Sequence, residues 1–203
     1  MHQDVHIIGI GGLPRSGKDT LAELFIKAGY FGISFGDIVR KFAHARHENE
    51  SDPISVVNMT ETANWLRETQ GADVILQEAL HQFKGEQAKG GKYKGLVLWS
   101  IRAPVEVDFI LKHHGDLIWI EASDTVRYRR AMQHMRAGEI PMNIEEFKRQ
   151  EALQWQPQQG ITSKVQMNIS YVKKHATHEL INNEKDLDQF YQKARHLIVD
   201  LVI

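Results

Sequence analysis

Cysteine is absent from this 203-residue chain, which excludes disulfides, thiolate metal sites and cysteine nucleophiles but leaves the compartment open. Charge of one sign is not in excess either: 25 lysines and arginines stand against 26 aspartates and glutamates, a formal net charge of −1. No bulk basic field therefore argues for a nucleic-acid partner. No apolar run approaches the roughly 20 residues needed to span a bilayer. The N-terminus also lacks the basic start and long apolar core of a secretory signal. No internal repeat is found, and low complexity is confined to 84–95. These absences lead to the expectation of a cytoplasmic protein with neither a nucleic-acid nor a membrane partner. Its length fits one domain over 1–203, large enough to bury a substantial core.

What is present starts with Gly12-Leu13-Pro14-Arg15-Ser16-Gly17-Lys18-Asp19-Thr20. The glycines allow the backbone to curl so that several N–H groups point into one hollow. At the positive end of a following helix, such a hollow suits a polyphosphate. Lys18 would reach the outer phosphates, and a nearby hydroxyl, Thr20, would help hold Mg²⁺. The pattern alone could be a glycine-rich turn, so its setting decides. Residues 5–10 form a short apolar run of the kind expected of a parallel strand covered on both faces. After Lys18, Leu21, Leu24, Phe25 and Ala28 recur on one helical face, and Gly29 stands where a helix stops. Strand, glycine loop and helix is the order that phosphate binding requires, which places Gly12, Arg15, Ser16, Gly17, Lys18, Asp19 and Thr20 in a nucleotide site.

Further apolar runs at 95–99, 117–120 and 179–181, with a brief one at 33–35, read as strands. Helical patterns lie near 36–47, 60–83, 103–113, 124–137, 143–155 and 166–175, and a last helix is expected from an N-cap at Asn183. Alternating strands and helices indicate an α/β fold with a parallel sheet of about five strands. Two polar stretches, 44–59 and 84–95, are expected as mobile surface, and 136–164 suits a lid.

Phosphoryl transfer asks for phosphates held in line, Mg²⁺ bridging them, and cations around the transferring group. Arginine serves best, because its planar fork binds two phosphate oxygens at once. Arg15 lies within the loop. Arg40 follows Gly36-Asp37, and Arg102 lies three residues beyond Trp99, at the carboxyl edge of the expected sheet, where such folds bind ligands. Arg127, Arg129, Arg130 and Arg136 share a segment leading into the lid-like region, and Arg67 stands in a possible acceptor region. Asp37 could accept a substrate proton or cap the helix after it. The eleven histidines lack a supporting carboxylate constellation, which disfavours a zinc site. The tryptophans read as core or lid-packing residues. A switch GTPase is disfavoured because Asp-x-x-Gly and Asn-Lys-x-Asp are both missing. A remodelling ATPase lacks an evident arginine finger or oligomerisation module, Glu121 being the one feature that points that way.

In this order the motifs resemble the nucleotide-kinase group of P-loop proteins: adenylate-kinase-like enzymes, phage-type deoxynucleoside monophosphate kinases and dephospho-CoA kinases. Gly17-Lys18-Asp19-Thr20 resembles the group's Gly-Lys-Gly-Thr, and more closely the Ser-Gly-Lys-Asp-Thr of the phage type. Gly36-Asp37-Ile38-Val39-Arg40 resembles its Gly-Asp-x-x-Arg, whose arginine binds the acceptor's phosphate. Trp99-Ser100-Ile101-Arg102 falls where Asp-Gly-x-x-Arg or Asp-Gly-x-Arg is usual, and Ile181-Asn182-Asn183 resembles the final strand near the donor base. The resemblance implies a three-layer P-loop NTPase fold, with an acceptor-binding region near 36–90 and a lid near 127–164. It also implies an ATP- and Mg²⁺-dependent kinase acting on a small nucleotide-like acceptor, first a nucleoside monophosphate. Lys18, Asp37, Arg102 and Arg129 would be catalytic, Asp37, Arg40, Arg67 and Arg102 would hold the acceptor, and Thr20 would hold the metal. The alternatives are a dephospho-CoA kinase and a nucleotide-binding module with weak or no catalysis. The second is motivated by one departure: Trp99 and Ser100 replace the group's metal-organising aspartate and its glycine, with Asp19, Asp37 and Glu121 as possible substitutes.

Overall fold

The structure is a computed structural model, and it describes residues 5–135, 141–152 and 167–202. Five strands form one parallel sheet: β1 (His6–Gly11), β2 (Phe31–Ser34), β3 (Gly95–Ile101), β4 (Asp116–Glu121) and β5 (His178–Ile181), in the order β2-β3-β1-β4-β5. The α/β expectation holds, and every apolar run marked as a strand is one. Helix α1 (Lys18–Lys27) joins β1 to β2. The crossover from β2 to β3 carries α2 (Phe35–Arg46), α3 (Val56–Gln70) and α4 (Val74–Ala88). Then come α5 (Pro104–Lys112), α6 (Asp124–Gln133), α7 (Ile144–Ala152), α8 (Ile169–Lys174) and α9 (Leu187–Leu201). No helix among the described residues is long and apolar enough to cross a membrane.

Strand periodicity divides the core into two halves, because successive side chains point to opposite faces. Ile8 and Ile10, Val97, and Ile118 and Ile120 pack with Leu21, Ala22 and Phe25 of α1 and Phe190 and Ala194 of α9. Ile7, Leu96 and Leu98, and Leu117 and Trp119 face the other way, with Ile38 of α2, Ala63 of α3, Ile75 of α4, Val107 of α5 and Val172 of α8. The result is a three-layer sandwich with the carboxyl ends of all strands on one edge.

Three local expectations need correction. The 60–83 pattern is two helices, because Gly71 at φ +115° ends α3, and α4 restarts and runs on to Ala88, into the stretch expected as loop. Helix α2 begins at Phe35, not after Asp37: Ser34 is its N-cap and accepts from the Asp37 N–H at 3.1 Å. The last helix is capped by Asp186, not Asn183. The Asn183 side chain instead accepts from the Ser123 N–H at 2.7 Å, joining the ends of β5 and β4.

Candidate functional site

The glycine loop lies between β1 and α1 on the carboxyl edge of the sheet. Gly17 takes φ +106°, a left-handed conformation that side chains resist, and a Cβ there would lie 2.4 Å from Asn182 Nδ2. Both facts make glycine necessary at this position. The Asn182 amide donates to the Ser16 carbonyl at 2.8 Å, and its Oδ1 accepts from Arg130 at 3.0 Å. Arg130 also donates to the carbonyls of Arg15 (3.3 Å) and Glu184 (3.1 Å). Burial pulls the Arg130 guanidinium below its ordinary range; the charge of Arg129 beside it adds to this and Glu184 opposes it. The loop is thus braced from β5 and from α6. Inside it, Lys18 is buried and its ammonium donates to the Leu13 carbonyl at 2.7 Å. The Ser16 hydroxyl is buried with no hydrogen-bond partner among the described residues.

Thr20 is half-buried in the first turn of α1, and Asp19 beside it is exposed. The Asp19 carboxylate accepts from the indole N–H of Trp99 at 2.9 Å. That contact crosses from α1 to the end of β3, the place where the resemblance expects an aspartate. β3 bulges there: Ile10 pairs with Trp99 and Gly11 with Ile101, leaving Ser100 as the extra residue at φ +66°. The backbone therefore keeps a conformation that favours glycine although the residue is serine. Glu121, at the end of β4, accepts from the Trp119 indole and from Lys173 at 2.7 Å. Burial raises this carboxyl, but the bonds from Lys173 and Trp119, with the charges of Lys173 and Arg127, outweigh it and hold the group below the usual range.

A second polar centre lies between α3 and α5. Arg67, 4% exposed, donates from Nη2 to Glu106 at 2.8 Å, while its Nε and Nη1 are buried with no hydrogen-bond partner among the described residues. Glu106 is itself 2% exposed and gives its other oxygen to the backbone N–H groups of Arg102 (2.7 Å) and Ala103 (3.0 Å). One carboxylate therefore caps α5, shapes the loop after β3 and orients Arg67. Sequence reasoning missed Glu106. Its signal was Pro104 at the first helical position with a glutamate two residues later, the start of a capped helix.

The remaining sequence-marked residues are dispersed. Asp37 and Arg40 form an ion pair on one exposed face of α2. Arg129 is half-buried on α6, and Arg136 lies outside the described residues. Arg127 is buried and bonds the Ala122 carbonyl, Asp124 and Glu151, so it ties α6 to α7. The structure brings the loop, the β3 edge and Arg130 together directly, and Arg67 joins the β3 edge through Glu106.

A family model described as an AAA domain matches residues 8–154. A UPF0200 protein of Pyrobaculum aerophilum is 24% identical over 97% of the chain and 99% of its own length. A UPF0200/UPF0201 protein of Archaeoglobus fulgidus is 31% identical over 71% of the chain, which spans only 43% of that relative. Among solved structures, shikimate kinase from Bacteroides thetaiotaomicron superposes with a TM-score of 0.52 at 16% identity, covering 98% of this chain and 99% of that one. Dephospho-CoA kinase from Campylobacter jejuni gives 0.50 at 16% identity, covering 97% and 96%. With the glycine loop braced at the sheet's carboxyl edge and a five-stranded parallel sheet of this order, the chain belongs to the AAA-domain family and has the fold of the P-loop kinases.

Proposed function

We propose that the protein is a kinase that moves the γ-phosphoryl of ATP to a small phosphorylated acceptor, a nucleoside monophosphate first. The loop amides and Lys18 hold the donor phosphates, and the Lys18 ammonium turns from the Leu13 carbonyl toward them. Ser16 offers inside the loop a hydroxyl that has no hydrogen-bond partner among the described residues. Asp19 and Thr20 are hard oxygen donors in the first turn of α1, which suits Mg²⁺. Bound there, Mg²⁺ would neutralise charge on the bridging phosphates.

The observation that carries the choice of an anionic acceptor is Arg67. Nε and Nη1 of this buried guanidinium are unpartnered among the described residues, and a buried donor left so typically costs about 1–3 kcal/mol. Nε and Nη1 lie on different edges of the guanidinium, so an acceptor phosphate would take up one of them, beside the Glu106-bound Nη2, and give that donor the charged partner arginine favours. Arg102, at the β3 edge, and Arg40 with Asp37, on α2, are assigned as further acceptor contacts. Asp37 takes the acceptor's proton, and Arg129 on α6 neutralises charge on the transferring group, while the lid expected over 136–164 lies largely outside the described residues.

A coupled ADP-release assay over nucleoside monophosphates, deoxynucleotides and dephospho-CoA tests the proposal. Release that depends on one acceptor class supports it and names the class. Release with dephospho-CoA alone would replace the first acceptor with the second, and equal slow release with every acceptor would leave a nucleotide-binding module instead of a kinase.

A further inference from the structure

Several carboxylates among the described residues follow the carboxyl ends of the strands. Asp124 is committed to Arg127 and Glu184 to Lys193. Glu106 is enclosed by Arg67 and two backbone N–H groups. Glu121 is held by Lys173 and Trp119. Asp37 is paired with Arg40. Asp19, by contrast, has a neutral partner, the Trp99 indole, and no ion pair to it exists among the described residues. An indole N–H can only donate, so it fixes one carboxylate oxygen without neutralising the charge. The backbone at the end of β3 is irregular beside this contact. The bulge at Ser100 re-aims the end of β3. Gly32 on β2 makes room chiefly for Ile26, whose Cδ1 would lie 2.4 Å from a Cβ there, with Trp99 Cζ3 next at 3.2 Å.

We propose that Asp19, presented from α1 and held by Trp99, is the carboxylate that organises Mg²⁺ in this protein, with Trp99 as its positioning residue. The usual arrangement is reversed: the strand end supplies the hydrogen-bond donor and the helix supplies the acid. The indole takes Oδ1, which leaves Oδ2 for the metal. The inference rests on the nucleotide-binding part of the proposed function, and its test separates the two.

ADP is titrated calorimetrically into wild type, Asp19→Asn and Trp99→Phe, with Mg²⁺ and again with EDTA, and each variant is melted by circular dichroism. Wild type is expected to bind ADP more tightly with Mg²⁺. Asp19→Asn is expected to lose that gain and, with one negative charge removed beside the phosphates, to bind ADP at least as tightly as wild type in EDTA. Trp99→Phe, which keeps a ring but drops the N–H, is expected to show the Mg²⁺ gain reduced about tenfold, the usual effect of removing an outer partner of a metal ligand. An undiminished Mg²⁺ gain in Asp19→Asn would overturn the metal assignment. A lowered melting temperature in Trp99→Phe with a full Mg²⁺ gain would make the indole a staple between β3 and α1, and overturn the positioning role. Should Trp99→Phe not fold, Asp19→Asn, at an exposed position, still decides the metal assignment. If wild type binds no ADP under either condition, the parent reading fails together with this one. If it binds and Asp19→Asn behaves like it, only this one fails.

Discussion

At the scale of single residues, the site depends on a few buried polar groups whose partners are distant in sequence. Glu106 is the clearest: it is 2% exposed and holds Arg67 and the start of α5 together. Breaking a buried pair leaves the other charge uncompensated, which typically costs about 3–5 kcal/mol. Glu106→Leu is therefore expected to lose stability of that order in urea unfolding. Adding Arg67→Met should recover most of it while weakening acceptor binding, seen as a raised acceptor KM. If Arg67 is only structural, the double variant will keep the parental KM. Asn182→Ala removes bonds to Ser16 and Arg130. At about 1 kcal/mol for each, calorimetry should find ADP binding weakened by up to about thirtyfold.

At the scale of elements, the tie between β4 and α8 gives a pH dependence. Glu121 accepts from Lys173, with side chains 35% and 40% exposed respectively. The folded pKa of Glu121 lies below 4.5, the ordinary value, so the unfolded chain binds the proton more readily. The pair's contribution is then fully present above the unfolded value and is lost as pH falls through the folded one. Lys173→Met should flatten the acid side of the stability profile, by at most about 1 kcal/mol given the exposure of both groups. An unchanged acid arm in thermal melts across that range would show that the bond contributes nothing. The elements themselves were largely legible in the sequence, because each strand is a short apolar run and each crossover a helical pattern. The breaks were less so. Gly71 sits inside a continuous apolar pattern, and only its positive φ shows that the chain turns there. The α9 cap was misplaced because Asn183 has a stronger claim on the Ser123 backbone than on the helix.

At the scale of the whole molecule, the parallel sheet collects the ends of separate segments at one edge. This is why the glycine loop could be read from the chain and its surroundings could not. Gly12, Gly17 and Lys18 are adjacent in sequence, so spacing reveals them. The Trp99–Asp19 bond joins residues 80 positions apart, and the Asn182–Ser16 bond spans 166. In the sequence Trp99 was a missing acid; in the fold it is a donor to an acid supplied by α1. On the proposed reading this edge is a two-substrate site in which Lys18 serves the donor. The most direct measurement is acceptor-dependent ADP release by wild type and by Lys18→Met, across nucleoside monophosphates and dephospho-CoA, with circular dichroism as the check on folding. One acceptor class should stimulate release by wild type, with a fall of about a hundredfold or more in the folded variant. Equal rates in wild type and Lys18→Met, or no stimulation by any acceptor, would contradict that reading.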